Sequence, residues 1–108
     1  MEQYSVYSED KLIPSLGHAS CTLLSAEQGC VGACAAGISV YSSREYSPVQ
    51  EHPFQEGFYV IEGCGSARVG NNTFKISGGT CFFVPSGTDH AIRCTGDKPV
   101  KVFWFHSA

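Results

Sequence analysis

Residues 79–90 read GTCFFVPSGTDH, and residues 57–65 read GFYVIEGCG. In the first stretch an apolar run, 80–84, stops at Pro85-Ser86-Gly87, and a second run, 89–94, starts behind that turn with His90 near its head. In the other, the run 57–62 breaks at Gly63-Cys64-Gly65 and resumes as 64–69. Proline fixes φ and glycine removes the steric cost of a positive φ, so each stretch reads as strand, tight turn, strand. The same alternation extends outward in both directions, with further runs at 19–25, 37–42, 45–51, 73–76 and 99–106. Gly70-Asn71-Asn72, Ser77-Gly78-Gly79 and Thr95-Gly96-Asp97-Lys98 supply the remaining turns. Such spacing predicts a β-sandwich or barrel. The segment 30–37, CVGACAAG, suits neither a long helix nor a strong strand.

Composition agrees. The leucines, Leu12, Leu16, Leu23 and Leu24, all precede residue 25, and the one methionine is Met1, so most of the chain lacks two good apolar helix formers. Valine, isoleucine, threonine and aromatic residues dominate instead, which suits a pleated, half-buried surface and an all-β fold. At 108 residues the chain holds one domain. Residues 1–18, with breakers at Pro14 and Gly17, read as an N-terminal arm, and 19–108 as the single domain. In the last run Val102, Trp104 and His106 share one face, Phe103 and Phe105 the other. Both faces are apolar, which predicts a strand covered on both sides.

A net charge of −3 with 16% charged residues provides no basic field for a phosphate backbone, so nucleic acid is not an expected partner. Nowhere do about 18 apolar residues run together, the length a membrane-crossing helix needs. The opening MEQYSVYSED has no basic flank followed by an apolar run, so no secretory signal is read there. Six cysteines in 108 residues fall short of a disulfide scaffold. Reduced thiols and a cytoplasmic location are expected.

Chemistry concentrates in two spacings: Gln50-x-His52-x3-Glu56-x6-Gly63 and Gly79-x5-Pro85-x-Gly87-x2-His90. Positions 50 and 52 share one face of an extended strand, Glu56 returns across a bend containing Pro53, and His90 follows a tight turn. An amide oxygen, two imidazoles and a carboxylate then converge, a donor set for a divalent transition metal. Gly63, Pro85 and Gly87 are turn formers. Gly63-x-Gly65 starts like a dinucleotide fingerprint, but Arg68 holds the third glycine position and no helix follows.

At these residues the sequence resembles the cupin superfamily, whose motifs are G-x5-H-x-H-x3,4-E-x6-G and G-x5-P-x-G-x2-H-x3-N. His52, Glu56 and Gly63 fall on the first motif, and Gly79, Pro85, Gly87 and His90 on the second. Arg44, Gln50 and Cys94 depart from it. The similarity covers roughly residues 37–106. It implies a double-stranded β-helix, or jelly-roll barrel, with one ion inside, held by Gln50, His52, Glu56 and His90. Without Gln50 the set is still two histidines and a carboxylate, as in non-haem iron sites, and Fe, Mn, Ni or Zn all suit it. The resemblance also implies a homodimer, to which an edge strand from the arm or residues 19–25 contributes.

An enzyme acting on a small oxygenated metabolite follows, whether dioxygenase, decarboxylase, isomerase or lyase. Glu56 on a metal is not free as a base, which leaves Tyr41, Tyr46, Tyr59, His106 or a hydroxide on the ion. The competing function is a non-catalytic module binding a sugar or small organic acid, and a third is a scaffold with an empty barrel. Cys94 shares strand parity with His90 and reads as a small buried residue rather than a reactive thiol. Cys30 and Cys34 lack zinc-knuckle spacing. His18 and His106 match no motif position and read as structural or exposed.

Overall fold

The computed structural model describes residues 13–15 and 18–108, with side chains from residue 18 onward. Among these residues the chain forms strands β1 (Ile13–Ser15), β2 (His18–Leu24), β3 (Ala35–Tyr41), β4 (Gln55–Glu62), β5 (Cys64–Val69), β6 (Asn72–Ser77), β7 (Cys81–Val84), β8 (His90–Cys94) and β9 (Val100–Ser107). They make a six-stranded sheet in the order β1-β2-β3-β9-β4-β7 and a three-stranded sheet in the order β6-β5-β8, with antiparallel ladders throughout. This is the jelly-roll arrangement of an all-β barrel. A single 3-10 turn, Ala26–Gln28, is capped by Ser25. No helix of the described residues is long and apolar enough to cross a membrane.

The core lies between the sheets. Phe58 and Val60 of β4, Ile92 of β8, and Val100 and Val102 of β9 are almost wholly buried, packed with Ala67, Ile76 and Val84. Alternation places these side chains inward, and cross-strand register stacks them in rows. Glu56 stands opposite His106, Phe58 opposite Trp104, Val60 opposite Val102. The same rows continue into β3, where Gly37 faces Trp104 and Ser39 faces Val102, and on into β2, where Ser20 faces Ser39.

Three sequence expectations change. The run 45–51 is not a strand: Gln50 makes one isolated bridge to His90. Pro48 and Pro53 have no amide hydrogen to give a ladder. The segment therefore follows the edge of β8 through spaced bonds, Ser47 N–H to Ile92 O at 2.9 Å and a reciprocal Gln50–His90 pair at 3.1 and 3.0 Å. Residues 30–37 divide, with a turn up to Cys34 and strand from Ala35, where β9 offers a partner. The outer face of β9 is open, Phe103 being 36% and Phe105 45% exposed. Ile13–Ser15 of the predicted arm pairs with β2 at the sheet edge; residues 1–12 and 16–17 lie outside the described residues.

The Pro85-Ser86-Gly87 turn forms as read. Gly87 adopts φ +72°, and its N–H donates to the His52 carbonyl at 2.7 Å. That bond ties the turn leading to His90 onto the segment carrying His52.

Candidate metal centre

Four chain segments deliver polar side chains to one end of the barrel. Glu56 is the second residue of β4 and is buried, 5% exposed. His90 opens β8 and is equally buried. His52, on the irregular segment, is half-buried, and His106 arrives near the end of β9. Their ring nitrogens surround the Glu56 carboxylate. His106 Nε2 is 2.6 Å from Oε2, His90 Nε2 is 3.0 Å from Oε1, and His52 Nε2 is 3.9 Å from Oε1. The His106 contact is a hydrogen bond, whereas His90 lies off a hydrogen bond's line, so Oε1 is a buried oxygen with no aligned donor.

Aromatic rings hold the imidazoles. His52 stacks on Phe54 (centroids 4.9 Å, planes 8° apart), His106 lies between Phe54 at 4.2 Å and Trp104 at 4.8 Å, and Phe58 is 5.6 Å from His90. A cavity of about 180 Å³ opens beside His52, Glu56 and His106, with His18, Ser39, Tyr41 and Gln50 also in its wall. A larger groove of about 600 Å³ lies at the three-stranded sheet, near Cys64, Lys75 and Arg93, and none of the imidazoles lines it.

Electrostatics favour an ionised carboxylate here. Burial pushes the Glu56 carboxyl up, but the His90 and His106 imidazoles together outweigh it and hold the group below its ordinary range. Burial pushes His52 down, toward the neutral form in which imidazole binds a metal. Tyr41 is held far above the phenol range by burial and by the Glu56 charge, so it stays protonated. Imidazole nitrogen and carboxylate oxygen are donors for divalent transition metals, and a buried carboxylate oxygen facing two imidazoles without an aligned donor fits such an ion.

Residues 37–106 match the Cupin domain family. The chain is a cupin. An uncharacterised protein of Methanocaldococcus jannaschii is 31% identical over 48 residues, which are 44% of this cupin and 38% of that protein. Similar solved structures include the Cnp3 cupin domain of Schizosaccharomyces pombe (TM-score 0.79, 21% identity, 95% of this chain and 73% of that one). A predicted oxalate decarboxylase of Thermotoga maritima gives 0.76 at 17% identity, over 94% and 97% of the two chains. The polyketide cyclase RemF of Streptomyces resistomycificus gives 0.76 at 14% identity, over 95% and 78%. At these identities the likeness is one of fold.

Of the four residues the sequence singles out, this cupin brings His52, Glu56 and His90 together. Gln50 lines the same cavity but is exposed, and its hydrogen bonds to His90 are through backbone. His106 is the residue that motif spacing misses. One ligand atom from each of His52, Glu56 and His106 lies within 4.8 Å of the others. The available signal was parity, since His106 continues the inward row of Val102 and Trp104. Among the base candidates, Tyr41 and His106 line the cavity, while Tyr46 bonds Ser66 Oγ at 2.8 Å outside it and Tyr59 is exposed on the outer sheet face. Cys94 is buried, its thiol donating to the Gly96 and Lys98 carbonyls.

Proposed function

We propose that this cupin is a metal-dependent enzyme acting on a small oxygenated metabolite, with His52, Glu56 and His90 as metal ligands and Gln50 at the rim of the site. The observation that carries it is Glu56 Oε1, buried, without an aligned donor and facing the Nε2 atoms of His90 and His52. Fe, Mn, Ni and Zn all suit the donor set. A bound ion would supply Lewis acidity or a redox centre to an oxygen-bearing substrate.

The chain's own groups limit what that substrate is. A cavity of about 180 Å³ holds the volume of roughly six waters at ~30 Å³ each, so a molecule of few heavy atoms fits. Protonated Tyr41 offers a hydrogen-bond donor, and Ser39 and His18 add polar positions on the same wall. Phe58 and Trp104 add apolar surface to the lining, a mixture typical of small-ligand pockets. Two structural neighbours, a predicted oxalate decarboxylase of Thermotoga maritima and a polyketide cyclase of Streptomyces resistomycificus, carry enzyme names, in keeping with a catalytic reading.

The outer face of the six-stranded sheet supports a homodimer. Tyr59, Phe83, Phe103 and Phe105 are all exposed there in adjacent strands, more apolar area than isolated surface residues account for. A reducing, cytoplasmic setting is proposed on the cysteine content, six in 108 residues, which falls below that of a disulfide scaffold.

Elemental analysis of purified protein tests the function. Near one transition-metal ion per chain is expected, lost in His52→Ala and His90→Ala while the circular dichroism of the fold persists. Equal metal in wild type and both variants defeats the assignment. A small acid or sugar that raises the melting temperature without being consumed turns the protein into a binding module.

A further inference from the structure

Resting on the metal-binding function proposed above, we infer that His106 is a positioning residue of the metal centre: it donates from Nε2 to Glu56 Oε2, so that Oε1 alone is turned toward His52 and His90. The 2.6 Å contact places a proton between His106 Nε2 and Oε2. A nitrogen that carries this proton has no lone pair for a cation. The other carboxylate oxygen is in the opposite state. Oε1 is buried without an aligned donor, and the nitrogens of His90 and His52 lie 3.0 and 3.9 Å away.

His106 is built to hold that orientation. It stands directly opposite Glu56 in the β4–β9 register, so their separation is fixed by the ladder rather than by a loop. Its ring is clamped by Trp104 at 4.8 Å and Phe54 at 4.2 Å, which restricts rotation. Trp104 in turn lies over Gly37, where a side chain would meet its ring. Partners that orient a metal ligand commonly change metal affinity ~10–100-fold when removed. The competing assignment is that His106 itself ligates, since it falls within the 4.8 Å set with His52 and Glu56.

Calorimetric titration of metal-free wild type, His106→Ala and His106→Gln with Mn(II), together with pulsed EPR of the Cu(II)-loaded proteins, separates these. Folding of each variant is checked by circular dichroism. His106→Ala should bind Mn(II) ~10–100-fold more weakly. His106→Gln, whose amide N–H can donate to Oε2, should recover most of that loss. The EPR should count two imidazoles in wild type and still two in His106→Gln. Three imidazoles in wild type falling to two in His106→Gln would make His106 a ligand and overturn the inference, as would unchanged Mn(II) affinity in His106→Ala. Wild type that binds neither metal overturns the proposed function, and the positioning role with it.

Discussion

His106 and Glu56 face each other across the β4–β9 ladder with Nε2 2.6 Å from Oε2, so the most buried carboxylate among the described residues and an imidazole fifty residues away in sequence meet through strand register. A slip of β9 by one residue against β4 would turn His106 to the other face and part it from Glu56.

Acid should expose the energetic side of that contact. Glu56 is held below its ordinary value of 4.5, so its contribution to stability is complete above that pH and is lost as pH falls through the lowered folded value. In metal-free protein, Glu56→Gln should cost about 1.5–3 kcal/mol near pH 6, the range for hydrogen bonds to a charged group. The deficit should shrink below pH 4.5. Urea denaturation of both proteins from pH 6 to pH 3 measures it, and a constant difference across that range rules the idea out.

His18 should lose stability in the same direction, in a higher pH window. Its ring stacks on Tyr41 at 4.4 Å, its Nε2 is buried without a partner, and burial holds it below its ordinary 6.5. The unfolded chain therefore takes up a proton first as pH falls, and stability declines from pH 6.5 down to the lowered folded value. His18→Phe, which keeps the stack, should gain on wild type in that window and not above it. Parallel melting curves at pH 5 and pH 8 are sufficient to check this.

Two glycines of the large sheet should respond differently to the same methyl group. A Cβ on Gly37 would lie 2.3 Å from the Cys21 carbonyl oxygen and 2.4 Å from the Trp104 ring, against backbone and a buried side chain. On Gly57 the three nearest atoms it would meet all belong to the Phe105 ring, a side chain exposed in the monomer and able to swing away there. Gly37→Ala should lose about 1–3 kcal/mol or more, and Gly57→Ala clearly less. Chemical denaturation ranks them; the reverse order would mean that β2 yields more easily than the Phe105 ring.

The open sheet face makes a further prediction. With Phe103→Glu and Phe105→Glu together, a homodimer formed through this face should run as a monomer in light scattering, while wild type runs as a dimer at micromolar concentration. Dimeric double variant would place the interface elsewhere.

Much of the fold was written in turn chemistry. Gly63, Gly79 and Gly87 all adopt positive φ, and the strands they separate lie within a residue or two of the apolar runs. Spacing also singled out His52, Glu56 and His90, and the structure gathers the two imidazoles around the Glu56 carboxylate. The sequence failed where tertiary pairing decides. Proline at 48 and 53 stripped residues 45–51 of regular pairing although their composition suits a strand. Ala35 joined β3 because β9 supplied a partner. His106 sits on a strand far from either spacing, so only its alternation with Val102 and Trp104 marked it. The outward pair Phe103 and Phe105 looked like core because apolar character does not say which side has a second layer.

β9 lies between β3 and β4, so the large sheet cannot close until the segment from Val100 to Ser107 has been synthesised and inserted. Before then β4 has only β7 beside it in that sheet, and Glu56 has no imidazole on Oε2. A nascent chain emerging from the ribosome would thus carry a gap in its wall, and the proposed ion capture would follow translation of this strand rather than accompany the earlier hairpins. Such late, long-range insertion is slow compared with local zippering, which makes the loading step sensitive to how quickly the wall is sealed.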